Sequence, residues 1–226
     1  MMEAIILAGG LGTRLKAVIA DVPKPMAPIR GRPFLDLVLE SLAKKGFIRI
    51  ILSVGYLADQ IVAHFGSNFK GLSIEYEIER TPLGTGGAIV KAMTNCRADH
   101  AFIFNGDTFL DLEVEAVETL WQKNKAPILV AREVSDSSRY GGLDVSNGQV
   151  VGFFEKGKSG PGLINAGCYV FPTNLFKNSS LPASFSIEND FLASMVRMRQ
   201  FNCFISRGRF IDIGTPTDYA QALVEL

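Results

Sequence analysis

The sequence has few of the residues on which disulfide or histidine chemistry depends. Its 226 residues include only three cysteines and two histidines. Cys96, Cys168 and Cys203 lie far apart and form no C-x-x-C pair, so we interpret them as reduced thiols or as small core residues. The fold is therefore not expected to depend on disulfides.

Net charge and long apolar runs are also missing. With 23 basic and 23 acidic residues, the chain lacks the excess positive charge that favours nucleic acids or acidic membranes, and neither is an expected partner. The apolar run Ala4–Leu7 has no basic segment before it and is too short for a signal peptide or a membrane span. We expect a cytoplasmic protein whose residues 1–226 form one domain.

Apolar runs alternate with helical spacing in the first half of the chain. Strands are predicted over Ala4–Leu7, Arg49–Val54, Leu72–Ile78 and Ala101–Phe104, with intervening helices over Pro33–Lys45, Leu57–Phe65 and Gly86–Met93. Strands that alternate with helices indicate an α/β fold, in which a mostly parallel sheet carries helices on both faces.

The second half is richer in strands. They are predicted over Ile128–Val134, Gly142–Val145, Val150–Glu155 and Ile164–Phe171, with Asn147-Gly148 as a hairpin turn. One helix is expected over Glu188–Met198, and a last helix begins at Thr215-Pro216. We expect the antiparallel part to be a small subdomain laid against the first sheet.

A phosphate-binding loop is predicted directly behind the first strand. Gly9, Gly10 and Gly12 allow backbone N–H groups to approach phosphate oxygens, and Arg14 and Lys24 supply positive charge. The alternative is a dinucleotide-binding turn of the form G-x-G-x-x-G. It is disfavoured because a leucine occupies the position of the third glycine.

Two aspartates follow or end apolar runs. Asp107 comes after Ala101–Phe104, where open α/β sheets place ligands, although Asn-Gly-Asp is also a common turn. Asp212 is flanked by apolar residues, so it needs a partner, which is either a cap, an ion pair or a metal. Together with a phosphate loop, the two carboxylates indicate a shared Mg²⁺.

Two further loops have both structural and functional interpretations. The glycines in Thr81–Ala88 allow close approach to a flat ligand such as a nucleobase, and they would serve a tight turn equally well. Lys156 at a predicted strand end is either a solvated side chain or a contact to a second phosphate.

The order and spacing of these motifs resemble the sugar-1-phosphate nucleotidyltransferases over nearly the whole chain. The matching segments are Leu7–Leu15, Pro23-Lys24-Pro25, Leu83–Ala88, Asn105-Gly106-Asp107, Glu155-Lys156, Asn165-Ala166-Gly167 and Asp212-Ile213-Gly214. The resemblance implies a Rossmann-like, GT-A-like three-layer sandwich with a small antiparallel sugar-binding subdomain. It also implies a reaction that joins a nucleoside triphosphate to a sugar 1-phosphate and releases pyrophosphate.

The resemblance also implies roles for individual residues. Catalysis falls to Arg14, Lys24 and Asp107, and Mg²⁺ to Asp107 and Asp212. The nucleotide would contact Leu7, Gly9, Gly10, Gly12, Thr13, Gly84, Thr85 and Gly87. The sugar phosphate would contact Gly142, Glu155, Lys156 and Asn165. Because the attacking phosphate oxygen is already anionic, no general base is needed, and His64 and His100 receive no role.

Within the family, the loops are most similar to members that transfer GMP from GTP to D-glycero-α-D-manno-heptose 1-phosphate, for surface polysaccharide synthesis. Mannose 1-phosphate guanylyltransferase and N-acetylmuramate 1-phosphate uridylyltransferase remain open alternatives. So do a non-catalytic regulatory subunit and a small-molecule sensor, although the charged residues Arg14, Lys24, Asp107 and Asp212 favour an enzyme. The chain is expected to lack a C-terminal left-handed β-helix. The sequence leaves the oligomeric state open, with a homodimer as one option.

Overall fold

The computed structural model describes residues 2–10, 12, 14–15, 18–19, 21–154, 159–177 and 179–226. The strands within these residues, numbered in chain order, are β1 (Glu3–Ala8), β2 (Pro28–Ile29), β3 (Arg32–Pro33), β4 (Arg49–Val54), β5 (Asn68–Phe69), β6 (Leu72–Ile78), β7 (His100–Asn105), β8 (Thr108–Leu110), β9 (Ile128–Val134), β10 (Gly142–Ser146), β11 (Gln149–Phe154), β12 (Gly162–Pro172), β13 (Asn202–Ser206) and β14 (Phe210–Asp212). The helices are α1 (Phe34–Lys44), α2 (Ala58–Phe65), α3 (Gly84–Met93), α4 (Val114–Asn124), α5 (Ala193–Met195) and α6 (Pro216–Glu225). A 3₁₀ turn covers Lys24–Met26 and a π-helical turn covers Ile187–Leu192.

One large sheet organises the described residues. Its strand order is β10-β11-β13-β9-β12-β7-β1-β4-β6-β5. Strands β7, β1, β4 and β6 are parallel and are connected through α1, α2 and α3, as the alternating pattern predicts. Only β5, β11 and β12 run against the common direction, so the prediction of a mostly parallel sheet is confirmed.

The antiparallel strands extend this sheet, and the expectation that they lie against it is corrected. Strand β12 pairs with β7 on one side and with β9 on the other. A register shift between Asn165 and Cys168 interrupts the β9 pairing, where a β-bulge turns the strand. Local sequence patterns predict that a segment is a strand, but they do not specify the partner strand.

The core has two parts, one on each face of the sheet. Ile6, Leu52 and Phe102 pack on the face covered by α1 and α4. Their neighbours Ile5 and Ile51 belong to the other cluster, with residues of α3 and of the π-helical turn. Because successive strand residues point to opposite faces, this alternation produces a three-layer sandwich.

Several predicted elements are confirmed, and others differ. The bounds predicted for β4, β6 and β9 match the structure, and Thr215 caps α6 by accepting from the Asp218 N–H. The helix expected over Glu188–Met198 is a π-helical turn followed by the short α5. Helix α4 was missed because its mean hydropathy is low and its buried residues are few. No helix in the described part of the chain is long and apolar enough to cross a bilayer.

A buried ion-pair network joins the amino-terminal ends of the central strands. The Arg49 side chain, which is 4% exposed, contacts the carboxylates of Glu3 and Glu75, each at 2.5 Å. It also donates to the Asn95 carbonyl at 2.8 Å. The Glu3 side chain is completely buried; Arg49 pairs with its Oε2, and the Arg97 and Ala98 N–H groups donate to its Oε1.

We predict that Arg49→Ala lowers the free energy of unfolding by about 3–5 kcal/mol, because it leaves the Glu3 carboxylate buried without its guanidinium. Urea denaturation would measure the change. Arg97→Ala is the matched control. Arg97 also contacts Glu75 but is 64% exposed, and its loss should cost less than about 1 kcal/mol. Equal effects of the two variants would contradict the prediction.

Candidate active site

A first cavity lies at the carboxyl ends of β1 and β7 and has a volume of about 520 Å³. Open α/β sheets place ligands at this edge. Among the residues predicted to form the site, those that line this cavity are Leu7, Gly9, Gly10, Lys24, Gly84, Thr85 and Asp107. The structure therefore brings together most of the residues assigned to the nucleotide.

Two of the predicted glycines pack closely against side chains of the site. A Cβ on Gly9 would lie 2.6 Å from Glu79 Oε1, so the backbone passes directly over that carboxylate. Gly12 has a φ of +59°, and a Cβ there would lie 3.0 Å from the Lys24 Cβ. Gly12 thus packs against Lys24 and helps to fix the position of its side chain.

A second cavity, of about 590 Å³, adjoins the first. Arg14, Asn165 and Asp212 line it. The Arg14 side chain, to which the resemblance assigns a catalytic role, is exposed and lines this second cavity. Gly141 lines the cavity, whereas Gly142 is buried in β10 opposite Ile164.

Two acidic side chains and one lysine lie where the cavities meet. The Lys24 ammonium contacts Asp107 Oδ2 directly. Strand β14 pairs with β8, which places Asp212 opposite Thr108. Thr108 Oγ1 then lies 3.4 Å from Asp107 Oδ1 and 3.4 Å from Asp212 Oδ2. The two carboxylates predicted to share a metal are therefore neighbours.

The electrostatics of this junction favour a cation. Burial and, after it, the Asp107 charge raise the pKa of Asp212 to about 6, and Lys24 opposes the shift. The Gly214 N–H stabilises the Asp212 carboxylate by donating to Oδ1 at 2.6 Å. Two carboxylates thus share one ammonium, and a second positive charge would relieve the repulsion between them.

The donor set fits Mg²⁺ bound together with substrate phosphates. Carboxylate oxygens are the hard ligands that Mg²⁺ prefers, and such sites use one or two carboxylates with phosphate and water oxygens completing the octahedron. Within the described residues, no group of three or more His, Cys, Asp or Glu side chains is arranged to hold a metal ion. Asp107 and Asp212 are the two carboxylates that the junction offers to such an ion.

Three predicted residues, Thr13, Glu155 and Lys156, lie outside the described residues. Gly87 is not among the residues that line the first cavity, although Ala88 is. A Cβ on Gly87 would lie 2.3 Å from the Ala183 carbonyl oxygen, so the close approach that requires glycine there is to the protein's own backbone.

Sequence reasoning missed two polar residues of the site. Glu79 lines the first cavity and accepts from Ser53 Oγ and from the Leu83 N–H, each at 3.1 Å. Asn105 lines both cavities, and its buried Oδ1 has no hydrogen-bonding partner among the described residues. The sequence offered a signal for Asn105, because this residue begins the Asn-Gly-Asp motif. Glu79 offered none, because it resembles an ordinary polar residue at a strand end.

The arrangement is suited to a reaction between two bound anions. The first cavity has a glycine-rich rim and the second has polar walls, and both open onto Lys24 and the two carboxylates. Lys24, together with a cation held by the two carboxylates, would neutralise the charge on phosphate groups that meet at this junction, which is the main requirement of phosphoryl transfer.

Comparison with known proteins agrees with this geometry. A relative named D-glycero-alpha-D-manno-heptose 1-phosphate guanylyltransferase, from Aneurinibacillus thermoaerophilus, is 42% identical over 100% of this chain and 98% of its own. The protein of the same name from Campylobacter jejuni is 40% identical over 99% of both chains. The solved structure of HddC from Yersinia pseudotuberculosis complexed with GMP-PN has a TM-score of 0.89 and 38% identity, and the match covers 100% of this chain and 99% of that one.

The family model described as Nucleotidyl transferase matches residues 3–226, which is nearly the whole chain. Its match spans both cavities and the junction between them. This chain therefore belongs to the nucleotidyl transferase family.

Proposed function

We propose that the protein transfers GMP from GTP to D-glycero-α-D-manno-heptose 1-phosphate, releasing pyrophosphate and forming GDP-heptose. The observation that carries the proposal is the meeting of two cavities at Lys24, Asp107 and Asp212. The two heptose 1-phosphate guanylyltransferases at 40% and 42% identity support the choice of sugar and base.

The first cavity is the proposed GTP site. A solved relative holds GMP-PN, a guanine nucleotide. We assign the recognition of guanine to Glu79, because a carboxylate only accepts hydrogen bonds and the base-pairing edge of guanine carries N1–H and N2–H₂ donors. Ser53 and Leu83 hold the carboxylate in place, which is what recognition of a planar base requires.

The chemistry follows from position and charge. A phosphate oxygen of the sugar phosphate attacks the α-phosphorus of GTP in line, and pyrophosphate leaves. Lys24 lies between the cavities and would neutralise charge on the phosphate that is transferred. Arg14 would bind the leaving pyrophosphate, and Lys156 would hold the sugar phosphate. The sugar hydroxyls would contact Glu155, Asn165 and the region around Gly142. Mg²⁺ on Asp107 and Asp212 would supply further charge neutralisation.

The proposed setting is the cytoplasm, where the product would serve surface polysaccharide synthesis. The three cysteines are free thiols, as expected in a reducing compartment. The proposed partners are small molecules only, namely GTP and the sugar 1-phosphate.

The function is tested by pyrophosphate release with Mg²⁺. GTP, UTP and dTTP would each be combined with the 1-phosphates of manno-heptose, mannose, glucose and N-acetylmuramate. We expect strong release with GTP and manno-heptose 1-phosphate. Activity confined to another pair would keep the reaction and replace the substrate, whereas no release from any pair would favour a non-catalytic role.

We predict that Asp107→Asn and Asp212→Asn each lower kcat by at least about 100-fold, since each removes a carboxylate that would hold the Mg²⁺ whose charge neutralises the reacting phosphates. Pyrophosphate release at saturating substrates is the measurement. Asp111→Asn is the control, because Asp111 is 55% exposed and pairs with Lys45 outside both cavities. Unchanged kcat in Asp107→Asn would reject the proposed junction.

We predict that Glu79→Gln reduces discrimination between GTP and ITP, which lacks the N2 amino group. The ratio of the two kcat/KM values should fall by about tenfold, the effect of one hydrogen bond to a charged group. Glu77→Gln is the matched control, because Glu77 lies near the end of β6, two residues before Glu79, and pairs with Lys91. A ratio unchanged in Glu79→Gln would show that this carboxylate does not recognise guanine.

A further inference from the structure

Segment 83–86, which forms part of the rim of the first cavity, is hydrogen-bonded to segment 183–187, which borders the second cavity. The Phe185 N–H donates to the Leu83 carbonyl at 3.0 Å, and the Gly86 N–H donates to the Phe185 carbonyl at 2.9 Å. A Cβ on Gly84 would lie 2.5 Å from the Phe185 carbonyl oxygen. The glycines of this rim therefore permit close packing of segment 183–187, and the two cavities share a wall.

Thr85 is the side chain that joins this wall to Glu188. Its hydroxyl accepts from the Ile187 N–H at 2.9 Å and donates to Glu188 Oε2 at 2.9 Å. A hydroxyl has one proton to donate. The Thr85 proton is thus directed at Glu188 and away from the nucleotide, although Thr85 itself lines the first cavity.

Glu188 is held by two further donors. Ser186 Oγ lies 3.2 Å from its Oε2, and the Tyr169 hydroxyl lies 3.2 Å from its Oε1. Burial, with a contribution from the Glu188 charge, raises the pKa of Tyr169 well above its ordinary value, so the phenol keeps the proton that it donates. Asn165 Nδ2 donates to the same phenol oxygen at 2.6 Å.

These contacts leave Glu188 able to accept one more hydrogen bond. A carboxylate has about four acceptor positions, and Thr85, Ser186 and Tyr169 occupy three of them. Glu188 lines the second cavity, beside Asn165. It also lies in a π-helical turn, a distortion that is frequent at functional sites.

We propose that Glu188 accepts a hydrogen bond from a hydroxyl of the sugar phosphate, and that Thr85 is a positioning residue for Glu188. The proposal rests on the proposed function and specifies how the sugar is chosen. It replaces the nucleotide role that the resemblance implies for Thr85. Glu188 discriminates among sugars because only a sugar with a hydroxyl at that position satisfies its remaining acceptor site.

The first test separates the KM values of the two substrates. We expect Glu188→Gln to raise the sugar-phosphate KM by about tenfold or more, and Thr85→Val to raise it by about three- to tenfold. In both variants the GTP KM should stay within about twofold of wild type, since the nucleotide contacts remain. Thr85→Ser retains the hydroxyl and should restore the sugar-phosphate KM. A rise confined to the GTP KM in Thr85→Val would overturn the positioning role.

The second test compares sugar phosphates that each lack one hydroxyl. In the wild-type protein, one of these deoxy substrates should have a lower kcat/KM than the complete sugar phosphate. This difference should largely disappear in Glu188→Gln. Direct calorimetric binding of GTP establishes that the variant is folded, and Thr85→Val serves in the same cycle if Glu188→Gln does not fold. The same loss in wild type and variant for every deoxy substrate would overturn the Glu188 contact alone. Absence of turnover by wild type would reject the proposed function, and this inference with it.

Discussion

The contact between Lys24 and Asp107 is the interaction on which the arrangement of the site depends. An ammonium group with little exposure is stable only beside a negative charge, and Asp107 supplies it. Three parts of the chain must meet to make this contact. Pro23 and Pro25 restrict the backbone on both sides of Lys24, β7 places Asp107 at its carboxyl end, and Gly12 packs against the Lys24 stem. Strand β14 then adds Asp212 by pairing with β8.

Hydrogen bonds between two chain segments also link the two cavities. The rim that carries Gly84 and Thr85 is hydrogen-bonded to the turn that carries Glu188. A transfer between two bound substrates is accelerated mainly by holding the reacting groups in the correct geometry. Walls shared by the two sites fix the distance between them, so the fold itself supplies much of the positioning that the proposed reaction needs.

Local sequence patterns predicted the elements that are long and strongly apolar, such as β4 and β9, and the two aspartates that follow apolar runs. They did not predict that β12 joins the two halves into one sheet, because a strand does not specify its neighbour. Glu79 and Glu188 were missed for the same reason. Each has its role through contacts with residues distant in sequence, such as Ser53 for Glu79 and Thr85 for Glu188.

The glycines of segment 84–87 are explained by tertiary packing, which the sequence motif alone does not reveal. The resemblance identified it as part of the site, and Gly84 does line the first cavity. The nearest atoms to a Cβ on Gly84, Gly86 or Gly87 nevertheless belong to residues 183–185. Glycine is needed there because two stretches of the same chain pass close together, which only the tertiary structure reveals.

Carboxylates in a site for two anionic substrates need a physical explanation. Two unit charges of like sign at 4 Å repel by about 4 kcal/mol at an effective dielectric constant of 20. Glu79 and Glu188 are held by neutral donors and line the cavities, where the base and the sugar hydroxyls of the proposed substrates would donate hydrogen bonds. Asp107 and Asp212 lie at the junction, where phosphates would meet them, and Lys24 balances only one of the two charges. This imbalance supports the proposed Mg²⁺, because a divalent cation held by the two carboxylates would offset their repulsion and would itself attract phosphate oxygens.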